Sequence, residues 1–312
     1  GSRGLGDVYK RQDIMKTRFF ALAALALALV ACNNDNENLN GDPVAAQFTA
    51  NIAPATRASG TTWTAGDRIG ITDIGNDSQY GNVPFILKNG KFEAEGKVIY
   101  IEDTKAHTFR AYYPYNAAGG ILAATTDATA QQNQSAIDFL FATGATGDKK
   151  SPVVSFTDKT DKGGEDNSFH HRMSLIKFTF KPGDGLIFNG MEPADYTLDG
   201  LKHEGTFDTA TGTTAVTAAV ESPITMQLGG ATTSQVIILP QGVTTSLDLT
   251  VSFNGLDYTT TLPNPSKPEA NQFSAGYAYT YNITLNNKGI TVEEPEITPW
   301  EPGNSNDVSI TL

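Results

Sequence analysis

The chain has 312 residues, with 22 Lys and Arg against 34 Asp and Glu, a formal net charge of −12, and a single cysteine. One thiol cannot form an intramolecular disulfide, so the fold rests on an apolar core rather than on cystine staples. The acidic balance is not interrupted by any Lys/Arg cluster, which makes nucleic acid and anionic membrane surfaces poor partners.

In chain order, residues 1–14 (GSRGLGDVYKRQDI) lie upstream of Met15 and read as a non-native extension outside the fold. Met15, Lys16, Thr17 and Arg18 then make a short basic start, followed by the uncharged apolar run 19–30. That order is an export signal, 15–31, too short to span a bilayer, which takes about 20 apolar residues. Leu29-Val30-Ala31-Cys32 matches a bacterial lipobox, so Cys32 is expected to carry a diacylglycerol and to become the mature N-terminus at the outer membrane. Beyond residue 32, five of the 22 basic and two of the 34 acidic residues have been passed, leaving 17 against 32 and a net charge of −15. Residues 32–43 (CNNDNENLNGDP) read as an acidic tether.

After the tether, period-2 alternation dominates. Val44, Ala46, Phe48, Ala50 and Ile52 alternate with Ala45, Gln47, Thr49 and Asn51, which predicts a strand with one buried face. FILK-NG-KFEA (85–94) and the run around Asn254-Gly255 predict hairpins, because a type I′ turn needs positive φ at both central residues. Tyr277, Tyr279, Tyr281, Ile283 and Leu285 form another alternating face. Helical periodicity is confined to a turn or two within 131–141. The turn-rich GGEDNS (163–168) precedes a new strand at FHHRMSLIKFTF, so two consecutive β-sandwich domains are expected, 44–170 and 171–312.

The residues that carry chemistry are sparse. His170 and His171 are adjacent, so on a strand they face opposite ways and cannot hold one metal together. His107 and His203 have no partner at ligand spacing, and Asp158, Asp161, Glu165 and Asp166 lack the spacing of a calcium loop. No G-x-S-x-G elbow, P-loop or H-E-x-x-H occurs, so no catalytic residue, metal site or cofactor is expected. Trp63 and Trp300 are weighed as stacking platforms for sugars against the commoner packing role. The rival function, a glycan-binding lipoprotein that keeps its anchor, depends on such a platform.

Several blocks, in this order, resemble the fimbrillin-like proteins, subunits of type V pili: ATR before TTWTAGDRIGI, FRAYYPY, DFLFA, FHHRMSLIKF, VIILPQ and FSAGYAYTYNITLNNKGITVEEPEITPW. The resemblance implies two transthyretin-like β-sandwich domains and export as an outer-membrane lipoprotein. It further implies cleavage by an arginine-specific protease, then polymerisation by strand exchange into a fimbrium for adhesion or biofilm. The family's cleavage arginine falls on Arg57, with Ala58 as the new N-terminus. Release of residues 44–52 would leave unpaired backbone and an apolar trough, a template for another strand. Val308, Ile310 and Leu312 alternate with Ser309 and Thr311 and are the candidate replacement, seated by β-strand addition in a head-to-tail polymer of like subunits. A host or bacterial surface receptor is the remaining expected partner, and Asp208-Thr209-Ala210 is a short O-glycosylation-like motif.

Overall fold

The alternating runs become strands because each has one face to bury, and helix is nearly absent from the described residues. The structure is a computed structural model, and it describes residues 41–52, 63–157, 166–190, 192–217 and 222–300. Cys32, Arg57, Ala58, Val308, Ile310 and Leu312 lie outside the described residues. Within them, helix is limited to single turns at Asp77–Tyr80 and Gln134–Ile137 and a 3-10 turn at Ala130–Asn133, where a short helical stretch was expected.

The N-terminal half forms one eight-stranded sheet. Its order is Val153–Phe156, Gln47–Ala50, Lys91–Ala94, Val83–Lys88, Arg68–Asp73, His107–Tyr113, Leu140–Gly147 and His170–His171. All neighbours are antiparallel except the first two, which run parallel. The sheet curls on itself: a Cβ placed on Gly147 would lie only 2.8 Å from Val154, so Leu140–Gly147 abuts the far edge strand. The Asn-Gly turn between Val83–Lys88 and Lys91–Ala94 has the predicted geometry, with φ of 50° at Asn89 and 77° at Gly90. Inside lie Phe48, Ile69, Ile71, Phe85, Phe109 and Phe156, all buried, each contributing roughly 1.5–3 kcal/mol by leaving water.

The C-terminal half is a sandwich of two sheets. One places Ser174–Pro182 between Thr233–Ile238 and Tyr277–Asn286, and the latter carries both Gly289–Val292 and Glu296–Pro299 along its other edge. The other runs Ile224–Gln227, Asp195–Asp199, Asp248–Phe253, Leu256–Thr261. Phe178, Phe180, Tyr279 and Tyr281 from the first meet Tyr196, Leu198, Leu249 and Val251 from the second. The outer face of the second sheet is polar, with Thr197 opposite both Thr225 and Thr250, and Thr250 opposite Thr259.

The first core draws on residues 46–169, and the buried residues of the second on 176–285. A third cluster draws on both halves, bringing Tyr112, Phe139 and Phe141 against Leu175, Phe207 and Trp300. A three-stranded sheet reinforces it, since Ile121–Thr125 pairs antiparallel with Glu204–Asp208, which in turn pairs with Thr214–Val216. The described residues accordingly belong to one compact unit.

Candidate functional site

The segment 44–52 is not laid on the outside of the sheet but threaded through it. Val44–Ala45 pairs antiparallel with Tyr100–Ile101, and the Ala46 amide donates to Ile99 O at 2.9 Å. Gln47–Ala50 then runs parallel to Val153–Phe156, secured at its two ends by Gln47 N to Pro152 O at 2.9 Å and Asn51 N to Phe156 O at 2.8 Å. On its other edge Phe48 stands opposite Phe92. Phe169 N closes the run by donating to Asn51 O at 3.0 Å, and Ile52 forms a parallel bridge to Phe169. The alternation works as expected at Ala46 and Phe48, which are buried, while Val44, Ala50 and Ile52 are half-buried. The single predicted strand is in fact two short ones, because the chain changes partners at Ala46.

Phe48 is the centre of this seat. Its ring meets Phe85 at 4.9 Å and Phe109 at 5.3 Å, both edge-on, and lies near-parallel to Phe156 at 6.3 Å. Edge-to-face pairs add about 0.5–1.5 kcal/mol each beyond the area they bury. Without this strand, Phe85, Phe109 and Phe156 would line an open trough whose two walls have free backbone edges.

Beyond Phe48 the neighbouring strand stops at its Asn89-Gly90 turn, leaving a cleft of about 290 Å³ lined by Phe48, Thr49, Ala50, Asn51, Trp63, Leu87, Gly90 and Phe92. Trp63 fills the role of the missing neighbour, its Nε1–H donating to Ala50 O at 2.9 Å. The indole is met edge-on by Phe92 at 5.2 Å, Tyr113 at 5.6 Å and Phe169 at 5.1 Å. Trp300 is wholly buried and lies flat on His171. Trp300 is therefore a packing residue, while half-buried Trp63 has its indole donor committed to Ala50 and three rings against it, with the cleft alongside.

His107 and His171 are held by carboxylates 34 and 33 residues away, which spacing along the chain did not show. His107 Nδ1 lies 2.7 Å from buried Asp73 Oδ2, and its Nε2 lies 3.4 Å from Asp103. Burial pulls the His107 pKa down, but hydrogen bonds and charge from Asp73 and then Asp103 outweigh it and leave the pKa raised. His171 and Asp138 form a fully buried pair at 2.6 Å, and half-exposed His170 faces Asp166 at 2.9 Å, so the two adjacent histidines do turn to opposite sides. His203 is anchored by Thr126 and the Ser222 carbonyl. Among the described residues no three His, Cys, Asp or Glu side chains gather in a way that could hold a metal. Of the acidic loop only Asp166 is described, and its carboxylate is occupied by Ser168 and His170. Thr209 of the glycosylation-like motif is only 8% exposed, within a hairpin turn.

Of the predicted site, then, residues 44–52 are brought together with their groove. Sequence reasoning missed Trp63 and Phe169 as parts of it. The signal for Trp63 was its place directly after the small-residue segment that holds Arg57.

An all-β chain whose described histidines are tied into structural pairs, and whose first strand is threaded into a sheet formed mostly by later residues, has the build of a structural subunit. A family model described as fimbrillin-like matches residues 56–300, and the chain belongs to that family. It is 31% identical over 310 residues, 93% of this chain and 97% of the relative, to the "Putative fimbrium subunit Fim1C" of Bacteroides uniformis. A crystal structure from Bacteroides uniformis, titled as that of a "putative cell adhesion protein", superposes with a TM-score of 0.66 at 25% identity, over 83% of this chain and 98% of that one. A similarly titled structure from Bacteroides ovatus shares the fold, with a TM-score of 0.67 at 24% identity, over 85% of this chain and all of that one.

Proposed function

We propose that this fimbrillin-like chain is a structural subunit of a surface fimbrium, built up by head-to-tail addition of like subunits and serving in adhesion. In this reading the chain is exported as a lipoprotein, held at the outer membrane through Cys32, and cut between Arg57 and Ala58 by an arginine-specific protease. The cut severs residues 44–52 from the body of the subunit, so that they can be exchanged. The groove they leave is filled by the terminal strand of another copy, with Val308, Ile310 and Leu312 in the places of the lost apolar side chains. Residues 44–170 and 171–312 serve as the two domains of the subunit. The subunit itself does no catalysis and needs no cofactor, and a surface receptor is its partner at the working end.

One observation carries the reading. Residues 44–52 are paired on both edges and insert Phe48 into the core, so their removal creates an apolar groove that only another strand of the same period can satisfy. The rival reading as an anchored glycan binder loses support from the full burial of Trp300 and from the commitment of the Trp63 indole donor to Ala50.

The test is exposure of the full chain to an arginine-specific protease, followed by N-terminal sequencing and electrophoresis without boiling. Ladders whose rungs begin at Ala58 are expected. Arg57→Ala and deletion of 308–312 are expected to leave monomers, and ladders from either variant would refute the assembly route.

A further inference from the structure

The two edges of the threaded strand are not held alike. Along one edge the strand is carried from Gln47 to Asn51 by Val153–Phe156, and then by Phe169. Along the other, Tyr100–Ile101, Ile99 and Phe92 serve residues 44–48, after which the partner strand turns away at Gly90. At Ala50 the backbone is served by a side chain instead, the Trp63 indole at 2.9 Å. That indole is fixed by Phe92, Tyr113 and Phe169, which all belong to the body of the sheet.

Ala50 and Trp63 are hydrogen-bonded although 13 residues apart, and residues 53–62 lie between them in the sequence. A cut anywhere in that segment leaves Ala50 on one piece and Trp63 on the other. The hydrogen bond between them then joins two molecules, but nothing in the cut breaks it. The same holds for the Phe48 ring contacts and the backbone bonds to Pro152, Phe156, Ile99 and Phe169. Severing the chain removes a covalent tie, not the groove's contacts, and an emptied groove would leave Phe85, Phe109 and Phe156 against water.

We propose that cutting the chain between Ile52 and Trp63 does not empty the groove: the severed strand stays seated, and Trp63 is the positioning residue that sets how fast it leaves. Assembly then proceeds by displacement, with the incoming strand replacing the old one rather than filling a vacant slot. The inference rests on the reading that residues 44–52 are the released strand.

The experiment uses the full chain with a recognition sequence for a highly sequence-specific protease placed within 53–62, so that cutting does not depend on Arg57. After cleavage, gel filtration and native mass spectrometry follow the N-terminal fragment. It is expected to co-elute with the body and to leave only when a labelled synthetic peptide of residues 41–52 is added in excess. Trp63→Phe keeps an aromatic ring at this position and loses the indole donor together with the second ring. Release of the fragment from that variant is expected to be roughly three- to tenfold faster, the effect of one hydrogen bond on a dissociation rate. Urea unfolding of the uncut Trp63→Phe chain checks that the body is intact. Loss of the wild-type fragment within one column passage, or equal release from the two chains, would overturn the proposal. Retention together with an arginine-specific protease that leaves Arg57 uncut sinks the processing route alone. Cleavage at Arg57 with prompt loss of the fragment sinks the retention alone.

Discussion

The Trp300 indole lies flat on the His171 imidazole, with ring centroids 4.0 Å apart and planes 9° from parallel. His171 in turn is paired at 2.6 Å with Asp138, so residues from the N-terminal half, the connecting strand and the chain's far end meet in one wholly buried stack. Trp300 N is fixed by the Gly276 carbonyl at 2.7 Å, which holds the indole at the junction of the two halves.

Truncation of that stack should be costly from either end. Trp300→Ala is expected to destabilise the chain by about 3–5 kcal/mol, through lost burial and an unfilled cavity. Asp138→Ala strands the His171 nitrogen and should cost about 1–3 kcal/mol. Urea denaturation followed by tryptophan fluorescence for Asp138→Ala, and by circular dichroism for Trp300→Ala, measures both. Because the two residues flank one imidazole, the double variant should fall short of the sum of the single effects.

His107 supplies a pH dependence of known sign. Its folded-state pKa is raised above the ordinary 6.5 because Asp73 and Asp103 outweigh the opposing effect of burial. The groups facing it are those two carboxylates, with Lys105 beside Asp103. A raised pKa means that the folded state binds the proton more tightly than the unfolded state. The stabilisation is therefore complete below about pH 6.5 and is lost as pH rises through the folded-state pKa. His107→Gln should flatten this fall, so the difference in urea midpoint between wild type and variant is expected to shrink between pH 6 and pH 9. A constant difference would show that the ion pair does not contribute. Asp103 and Asp166 are held below the usual carboxylate pKa, Asp103 chiefly by the Lys105 amide and Asp166 by Ser168 and His170 against its burial, so they act in the opposite direction and only in acid.

The hairpin turn at Asn254-Gly255 separates conformational cost from crowding. Gly255 has φ of 75°, yet a Cβ added there would meet no atom within 4 Å. Gly255→Ala should cost about 1 kcal/mol from backbone strain alone. Gly70 presents the converse case, since its added Cβ would lie 2.4 Å from the Tyr112 ring and 2.7 Å from Asn82 Oδ1. Gly70→Ala should therefore cost more, of the order of 1–3 kcal/mol from overpacking. Thermal unfolding of the two variants compares them directly.

Much of this architecture is written locally. Asn89-Gly90 and Asn254-Gly255 fold as read because positive φ at two successive positions is a property of those residues, not of their surroundings. The alternation from Leu247 to Phe253 and from Tyr279 to Leu285 likewise places its apolar residues inside, since a strand's period of two admits only one face to the core. The strand at 44–52 was visible for the same reason.

Its partners were not. Thr49 meets Ser155, 106 residues away, and His107 meets Asp73, 34 residues away. Thr125 of one half meets Glu204 of the other, 79 residues away. His107 and His171 look isolated along the chain, yet folding puts a carboxylate from 34 and 33 residues away against each.

By itself, then, the amino-acid sequence determined the all-β character, the turns and the family, because each of these is carried by short-range pattern or by the order of blocks along the chain. Only the tertiary structure decided that the first strand is threaded between two others, that Trp63 holds it where the sheet gives out, and that Trp300 closes the junction. Pairing across a sheet depends on which edges and rings are left to be satisfied once the rest has folded, and that is settled by long-range burial rather than by any local signal.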